Sequence, residues 1–173
     1  TLGHALAKLE VEDIEARIQD TAHAIHSAGT IDEILLELQQ PIMQLFDSKL
    51  ITIYAVDEIR NEIYSKVKSG DQINEIRVPI SGTSISGSVA LTKKPANISD
   101  VYNPEELKSF HPSLEFDSSW DKKTGLRTKS MLVYPLLQGE NLMGVMQLVN
   151  KNHGGRFSGF DERNANNIAQ TLA

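Results

Sequence analysis

Few residues in this chain have the types and spacing for chemistry. Asp117 and Asp121 form a pair of carboxylates in the segment FDSSWD, but nothing in the sequence sets a nucleophile or a metal beside them. His23 and His26 stand three apart, a spacing that permits metal ligation, yet no carboxylate pair or cysteine completes a site. His111 and His153 fall in loops and read as exposed. The small-residue run from Ser81 to Gly87 precedes a short helix, whose first N–H groups can bind an anion. It lacks the Gly-Lys-Ser/Thr of a phosphate loop, so a plain capping turn is the competing reading. Lys151 and Asp161 flank a Gly-rich turn. They are either a lock across it or two solvated charges.

Composition narrows the class. The 173 residues are 40% hydrophobic and 23% charged, values that fit one globular domain with an added helical arm. A net charge of -6 argues against general binding to nucleic-acid backbones. No apolar run approaches the length of a membrane span, and no signal peptide opens the chain, so a cytoplasmic protein is expected. Cysteine is absent, which removes disulfides, thiolate zinc sites and cysteine nucleophiles together. The chain starts and stops within helical patterns and is expected to be a piece of something longer.

The elements that must position these residues follow from periodicity. Residues 2–28 carry Leu2, Leu6, Leu9, Ile14, Ile18, Ala22 and Ile25 at helical steps, with acidic residues opposite. This arm over 1–29 either pairs with a second copy or packs on its own domain. Thr30-Ile31-Asp32-Glu33 is a capping box for a helix reaching Phe46, in which Pro41 predicts a kink or break. Leu50 to Val56 reads as a buried strand, Asp57 to Asn61 as a hairpin turn, and Glu62 to Ser69 as an alternating strand. Ile76 to Ile80 is a third strand that Pro79 confines to an edge or an end. A short helix follows over Ser88 to Leu91, then a brief strand over Pro95 to Ile98.

Residues 99–127 show no strand pattern. A connection this long within a domain is a lid or binding segment. Asn103-Pro104-Glu105-Glu106 opens a short helix in it, and a second turn of helix lies near Phe116 to Lys122. Thr128 to Leu137 returns to strand, and Gln138 to Asn141 turns into Leu142 to Asn150, a strand apolar on both faces. Ser158 caps a last helix over Asp161 to Leu172, with Asp161 and Glu162 in its first turn. The order gives an α+β domain. A central antiparallel sheet of five or six strands has helices on one face and the long segment on the other, enclosing a small-molecule site.

Four separated motifs then coincide. Asn150-Lys151, Phe157 and Asp161-Glu162 reproduce an Asn-Lys…Phe…Asp-Glu pattern. Upstream stand Ser84-Ile85-Ser86-Gly87-Ser88-Val89-Ala90, Asn97-Ile98-Ser99-Asp100-Val101-Tyr102 and Thr124-Gly125-Leu126-Arg127-Thr128-Lys129-Ser130. Over residues 30–173 the chain resembles a GAF domain of the cyclic-nucleotide phosphodiesterase type. With its helical arm and the lid run Phe116 to Asp121, it is also similar to bacterial GAF modules of secretion or pilus-assembly ATPases of the GspE class.

The resemblance implies a sensory domain and not an enzyme. It implies a nucleotide-like ligand, cyclic nucleotide first, held between sheet and lid, with no resident cofactor or metal. Family position puts ligand contacts on Thr52, Ser69, Ile85, Ser86, Asp117, Asp121, Thr124, Thr128 and Gln147. It gives Lys151 and Asp161 the role of holding the turn against the lid. Ser69 stands where cyclic-GMP-binding relatives carry an Asp that reads the purine, and Asp117 stands where they carry an aromatic ring. A second carboxylate beside Asp121 would repel a phosphate unless it is protonated or turned outward. Some GAF proteins reduce free methionine sulfoxide, but they use cysteines. The resemblance therefore leaves two readings: a ligand sensor driving an attached output domain through terminal helices, and a ligand-free GAF domain serving as a dimerisation module. A homodimer through those helices fits both.

Overall fold

The computed structural model describes residues 39–173 and, before them, positions 16, 17, 19, 20, 23, 36 and 37; at 67–69 and 120 it describes the backbone alone. Most of the expected arm over 2–28, His26 within it and the capping box at 30–33 lie outside the described residues.

Six strands form one antiparallel sheet in the order β3-β2-β1-β6-β5-β4. They are β1 (Ser48–Asp57), β2 (Glu62–Ser69), β3 (Gln72–Pro79), β4 (Ala96–Ile98), β5 (Met131–Gln138) and β6 (Asn141–Lys151). The helices are α1 (Gln39–Phe46), α2 (Ile85–Thr92), α3 (Pro104–Phe110), α4 (Ser119–Thr124) and α5 (Gly159–Leu172). Among the described residues no helix is long and apolar enough to cross a membrane.

The period-two alternation of the central strands builds a core on each side of the sheet. Ile53, Leu132, Leu136, Met146 and Leu148 face one way, onto Ile42 and Phe46 of α1 and Ala165, Ile168 and Ala169 of α5. Tyr54, Met131, Val133, Val145 and Val149 face the other way, onto Ile85 and Val89 of α2, Leu107 of α3 and Leu114. Coverage on both sides is why β6 is apolar at nearly every position. The terminal helices thus own one face, and the 85–128 segment owns the other.

Several boundaries differ from expectation, among them the helix expected over Ser88 to Leu91, which starts at Ile85. α1 runs through Pro41 to Phe46, so the proline does not break it. β3 begins at Gln72 and not at Ile76, because a tight turn at Gly70 (φ 61°) lets it pair with β2 from Ser69 down to Glu62. Its polar opening residues read as loop because they lie on an exposed strand. β5 begins at Met131, since 128–130 are held by side chains of other elements, as described next.

Candidate functional site

Register fixes the floor of the site. Thr52 on β1 and Val133 on β5 both pair with Gln147 on β6, so one row of side chains crosses the sheet on the 85–128 face. Tyr54 is the next residue of β1 on that face. Ser86, in the first turn of α2, donates its hydroxyl to Gln147 Oε1 and also hydrogen-bonds the Tyr54 phenol. Burial pushes the Tyr54 phenol above its ordinary pKa, and the bond to Ser86 works against that. The floor is therefore polar and uncharged. At its rim, Ser84 caps α2 by accepting from the Gly87 amide, while Ile85 and Ser86 provide the first-turn amides.

A clasp closes the segment above this floor. Asp121 of α4 accepts hydrogen bonds from the Thr128 amide (2.8 Å), the Thr128 hydroxyl (2.7 Å) and the Tyr102 phenol (2.6 Å). Tyr102 in turn packs edge-on against Phe116, with centroids 5.2 Å apart, and the Arg127 guanidinium lies over its ring at 4.4 Å. Partial burial would raise the Asp121 pKa. The hydrogen bonds from Tyr102 and Thr128 and the Arg127 charge outweigh it and hold the carboxyl below its usual range. The Tyr102 phenol is raised, first by its bond to that carboxylate. A second anchor ties the start of the lid: Glu106 accepts from the Ser99 amide and hydroxyl and from the Asp100 amide. The lid also rests on the 81–84 turn. The Glu115 amide bonds the Thr83 carbonyl, and the His111 ring covers Gly82 so closely that any Cβ there would fall on it.

The end of β6 divides its motif residues between the two faces. Asn150, in the left-handed region (φ 56°), is buried. Its Oδ1 accepts from the Lys129 and Ser130 amides and its Nδ2 donates to the Arg127 carbonyl, which pins the base of the lid. Lys151 goes the other way. Its ammonium pairs with Asp161 at 3.1 Å and donates to the Phe46 carbonyl at 2.8 Å, at the C-terminus of α1, where carbonyls lack helical partners. Asp161 also closes a capping box with Ser158. Phe157 is fully buried and its carbonyl accepts from Asn97 of β4. Glu162 is half-buried in the first turn of α5.

The structure gathers some of the expected site residues and leaves others apart. Thr52, Ile85, Ser86 and Gln147 meet on the floor. Thr128 and Asp121 meet each other in the clasp, their polar atoms mutually bonded. Asp117 is exposed and accepts from the Ser119 amide, which with Lys122 nearby keeps its carboxyl low. It is turned outward, so the expected clash with a phosphate does not arise there. Thr124 is exposed at the end of α4, accepting from the Leu126 amide. Ser69 lies on the length of β2 that pairs with β3 alone, since β1 and β2 pair at Ala55–Tyr64 and then part, with the Ser65 hydroxyl donating to the Ile53 carbonyl. Of the motif residues, Asn150 bonds the base of the lid, while Lys151 bridges Asp161 and the end of α1. Tyr54 reads only as a core residue of a buried strand, and Tyr102, Glu106, Phe116 and Arg127 lie in the long segment without strand pattern, where nothing local signals their partners. Among the described residues no cluster of three or more His, Asp or Glu could hold a metal.

The profile of the GAF domain matches residues 30–173. Over 156 residues the chain is 31% identical to the probable 3',5'-cyclic phosphodiesterase pde-5 of Caenorhabditis elegans, an alignment covering 83% of this chain and 20% of that protein. It is 37% identical over 100 residues to the dual 3',5'-cyclic-AMP and -GMP phosphodiesterase 11 of Drosophila melanogaster, covering 57% and 6%. The chain thus spans no more than a fifth of either relative. Among solved structures it superposes on the GAF domain of a Coxiella burnetii phosphoenolpyruvate-protein phosphotransferase with TM-score 0.71, 14% identity and coverage of 92% and 89%. The free methionine-R-sulfoxide reductase of Neisseria meningitidis gives TM-score 0.67, 17% identity and coverage of 92% and 85%. At such identities the structures speak to fold alone.

Proposed function

The chain belongs to the GAF domain family, and on that premise we propose that it is a regulatory domain that senses a small nucleotide-like ligand between sheet and lid. The observation that carries this reading is the uncharged polar floor of Thr52, Tyr54, Ser86 and Gln147 beneath a lid fastened at Asp121. A cyclic nucleotide is the ligand favoured, by analogy with the phosphodiesterases it resembles. Its phosphate would meet the first-turn amides of Ile85 and Ser86, where a helix N-terminus favours an anion. Thr52 and Gln147 would take its polar edges, with Ser69, Asp117 and Thr124 as rim contacts that ordering of the lid would bring in. Asp121 and Thr128 would act by holding the lid closed.

The signal would leave through β6. Gln147 on the floor and Lys151 on the helix junction are four residues apart on one strand, and Lys151 grips both terminal helices. A shift of the floor would thus reach α1 and α5, and through them an arm-mediated homodimer and an output domain. We assign the domain no catalysis of its own and a cytoplasmic setting. An output domain of the secretion or pilus ATPase type rests on the arm and the 116–121 run alone. The relatives described above are phosphodiesterases.

Isothermal titration with cyclic AMP, cyclic GMP and cyclic dinucleotides tests the ligand class. Saturable heat with one of them supports it, and none with any sinks the nucleotide version. The Ser86 hydroxyl already satisfies Gln147, so that outcome would favour the second reading, a ligand-free dimerisation module.

A further inference from the structure

The outer edge of β3 points to a further contact. Among the described residues β3 ends the sheet, is paired with β2 along its whole length, and has no strand beyond it. The Ile80 amide bonds the Asn61 carbonyl. Because an antiparallel ladder alternates, residues 78, 76, 74 and 72 turn their backbone groups toward β2, while Ile73, Glu75 and Arg77 turn theirs outward. Pro79, which has no N–H, falls on the outward set and ends it. Between Gln72 and Val78 the edge carries no lysine and no bulge, and its charged side chains are Glu75 and Arg77. Ile73 is 55% exposed.

We propose that this edge pairs with the same edge of a second copy, antiparallel about a two-fold axis at Ile76, joining two sheets into one. Side-chain chemistry selects that register. An axis at Ile76 sets Glu75 opposite Arg77 of the second copy, and Arg77 opposite its Glu75, on one face. It also sets Ile76 against Ile76 on the other face and Ile73 beside Pro79. An axis at Glu75 opposes two glutamates and an axis at Arg77 two arginines, both unfavourable. An axis at Asn74 leaves Arg77 opposite the turn residue Asp71 and buries Glu75 against Ile73. Within one chain, Arg77 already pairs with Glu75 at 2.7 Å and Asp57 at 2.9 Å, and reaches Glu62 at 3.4 Å. Glu75 is the most exposed of the three carboxylates on that guanidinium, at 42%, and stands opposite Lys66 of β2. The contact is isologous and small, so it is concentration-dependent.

Hydrogen exchange on the full chain at about 10 μM and about 1 mM reads it directly. The expected result is exchange at least about tenfold slower at the higher concentration for the amides of Ile73, Glu75 and Arg77, with no change at residues 74 and 76. Glu75→Arg opposes two arginines across the axis. Glu75→Pro removes an outward N–H that no intrachain bond uses. Both should abolish the concentration dependence while leaving the melting temperature and the β2–β3 protection unchanged. Protection that does not depend on concentration, or that survives in both variants, overturns the proposal. A dimer made only by the helical arm leaves these β3 amides alike at both concentrations and gives the first of these outcomes.

Discussion

Thr128 gives both of its hydrogen-bond donors to Asp121, amide to one carboxylate oxygen at 2.8 Å and hydroxyl to the other at 2.7 Å. Seven residues separate them, so the pair closes a loop that runs from α4 to the threshold of β5. Asp121→Asn keeps the shape but replaces one of the two accepting oxygens with an NH2 donor and removes the charge, so at least one of the three bonds is lost and the rest weaken. A loss of about 1–2 kcal/mol is expected, which lowers the melting temperature by roughly 3–6 °C. Amides over 99–128 should exchange faster while those of β1, β5 and β6 keep their protection. Unchanged lid exchange would remove Asp121 as the clasp.

The same carboxylate sets an acid limit. Burial raises the pKa of Asp121 and of Glu106, but in each the hydrogen bonds win and the folded value lies below the ordinary one. Their contribution is therefore complete above the unfolded carboxyl pKa of about 4 and is lost as pH falls through that value toward the folded one. Melting curves of wild type and of Asp121→Asn should converge as pH falls below the ordinary aspartate range. A constant gap down the acid limb would mean that the aspartate is not ionised in the clasp.

At the other face, Lys151→Ala leaves Asp161 without its cation and the Phe46 carbonyl without its donor. About 2 kcal/mol is expected for so partly buried a pair, or roughly 4–8 °C. The affected amides should be those of α1 and the first turn of α5, with the lid unmoved. If the lid loosened instead, the division of the motif between Asn150 and Lys151 would be wrong.

Gly82→Ala puts a methyl into the His111 ring. Overpacking of about 1–3 kcal/mol should be relieved by pushing 111–115 off the 82–83 turn, seen as loss of the Glu115 amide protection. Adding His111→Ala should restore most of it. Failure of the double variant to recover would show that the turn itself, and not the ring, is sensitive.

What the sequence determined by itself is the order of elements and the stretch from Leu142 to Glu162. Alternation, a Gly-rich turn and a serine cap are local signals, and the capping box at Ser158 and Asp161 formed where they indicated. The coincidence of four motifs was enough to indicate the family. Only the tertiary structure decided what the charges do. Lys151 and Asp161 met across the turn as their spacing allowed, but which helix they serve depends on α1 arriving a hundred residues earlier in the chain. The bonds that Tyr102 and Thr128 give Asp121 could not be read from the chain, because Tyr102 lies in a stretch without periodicity and Thr128 at the threshold of a strand. Position along a chain specifies neighbours within a turn or a strand; contacts between a lid and a sheet depend on how the elements stack, and stacking leaves no spacing to read.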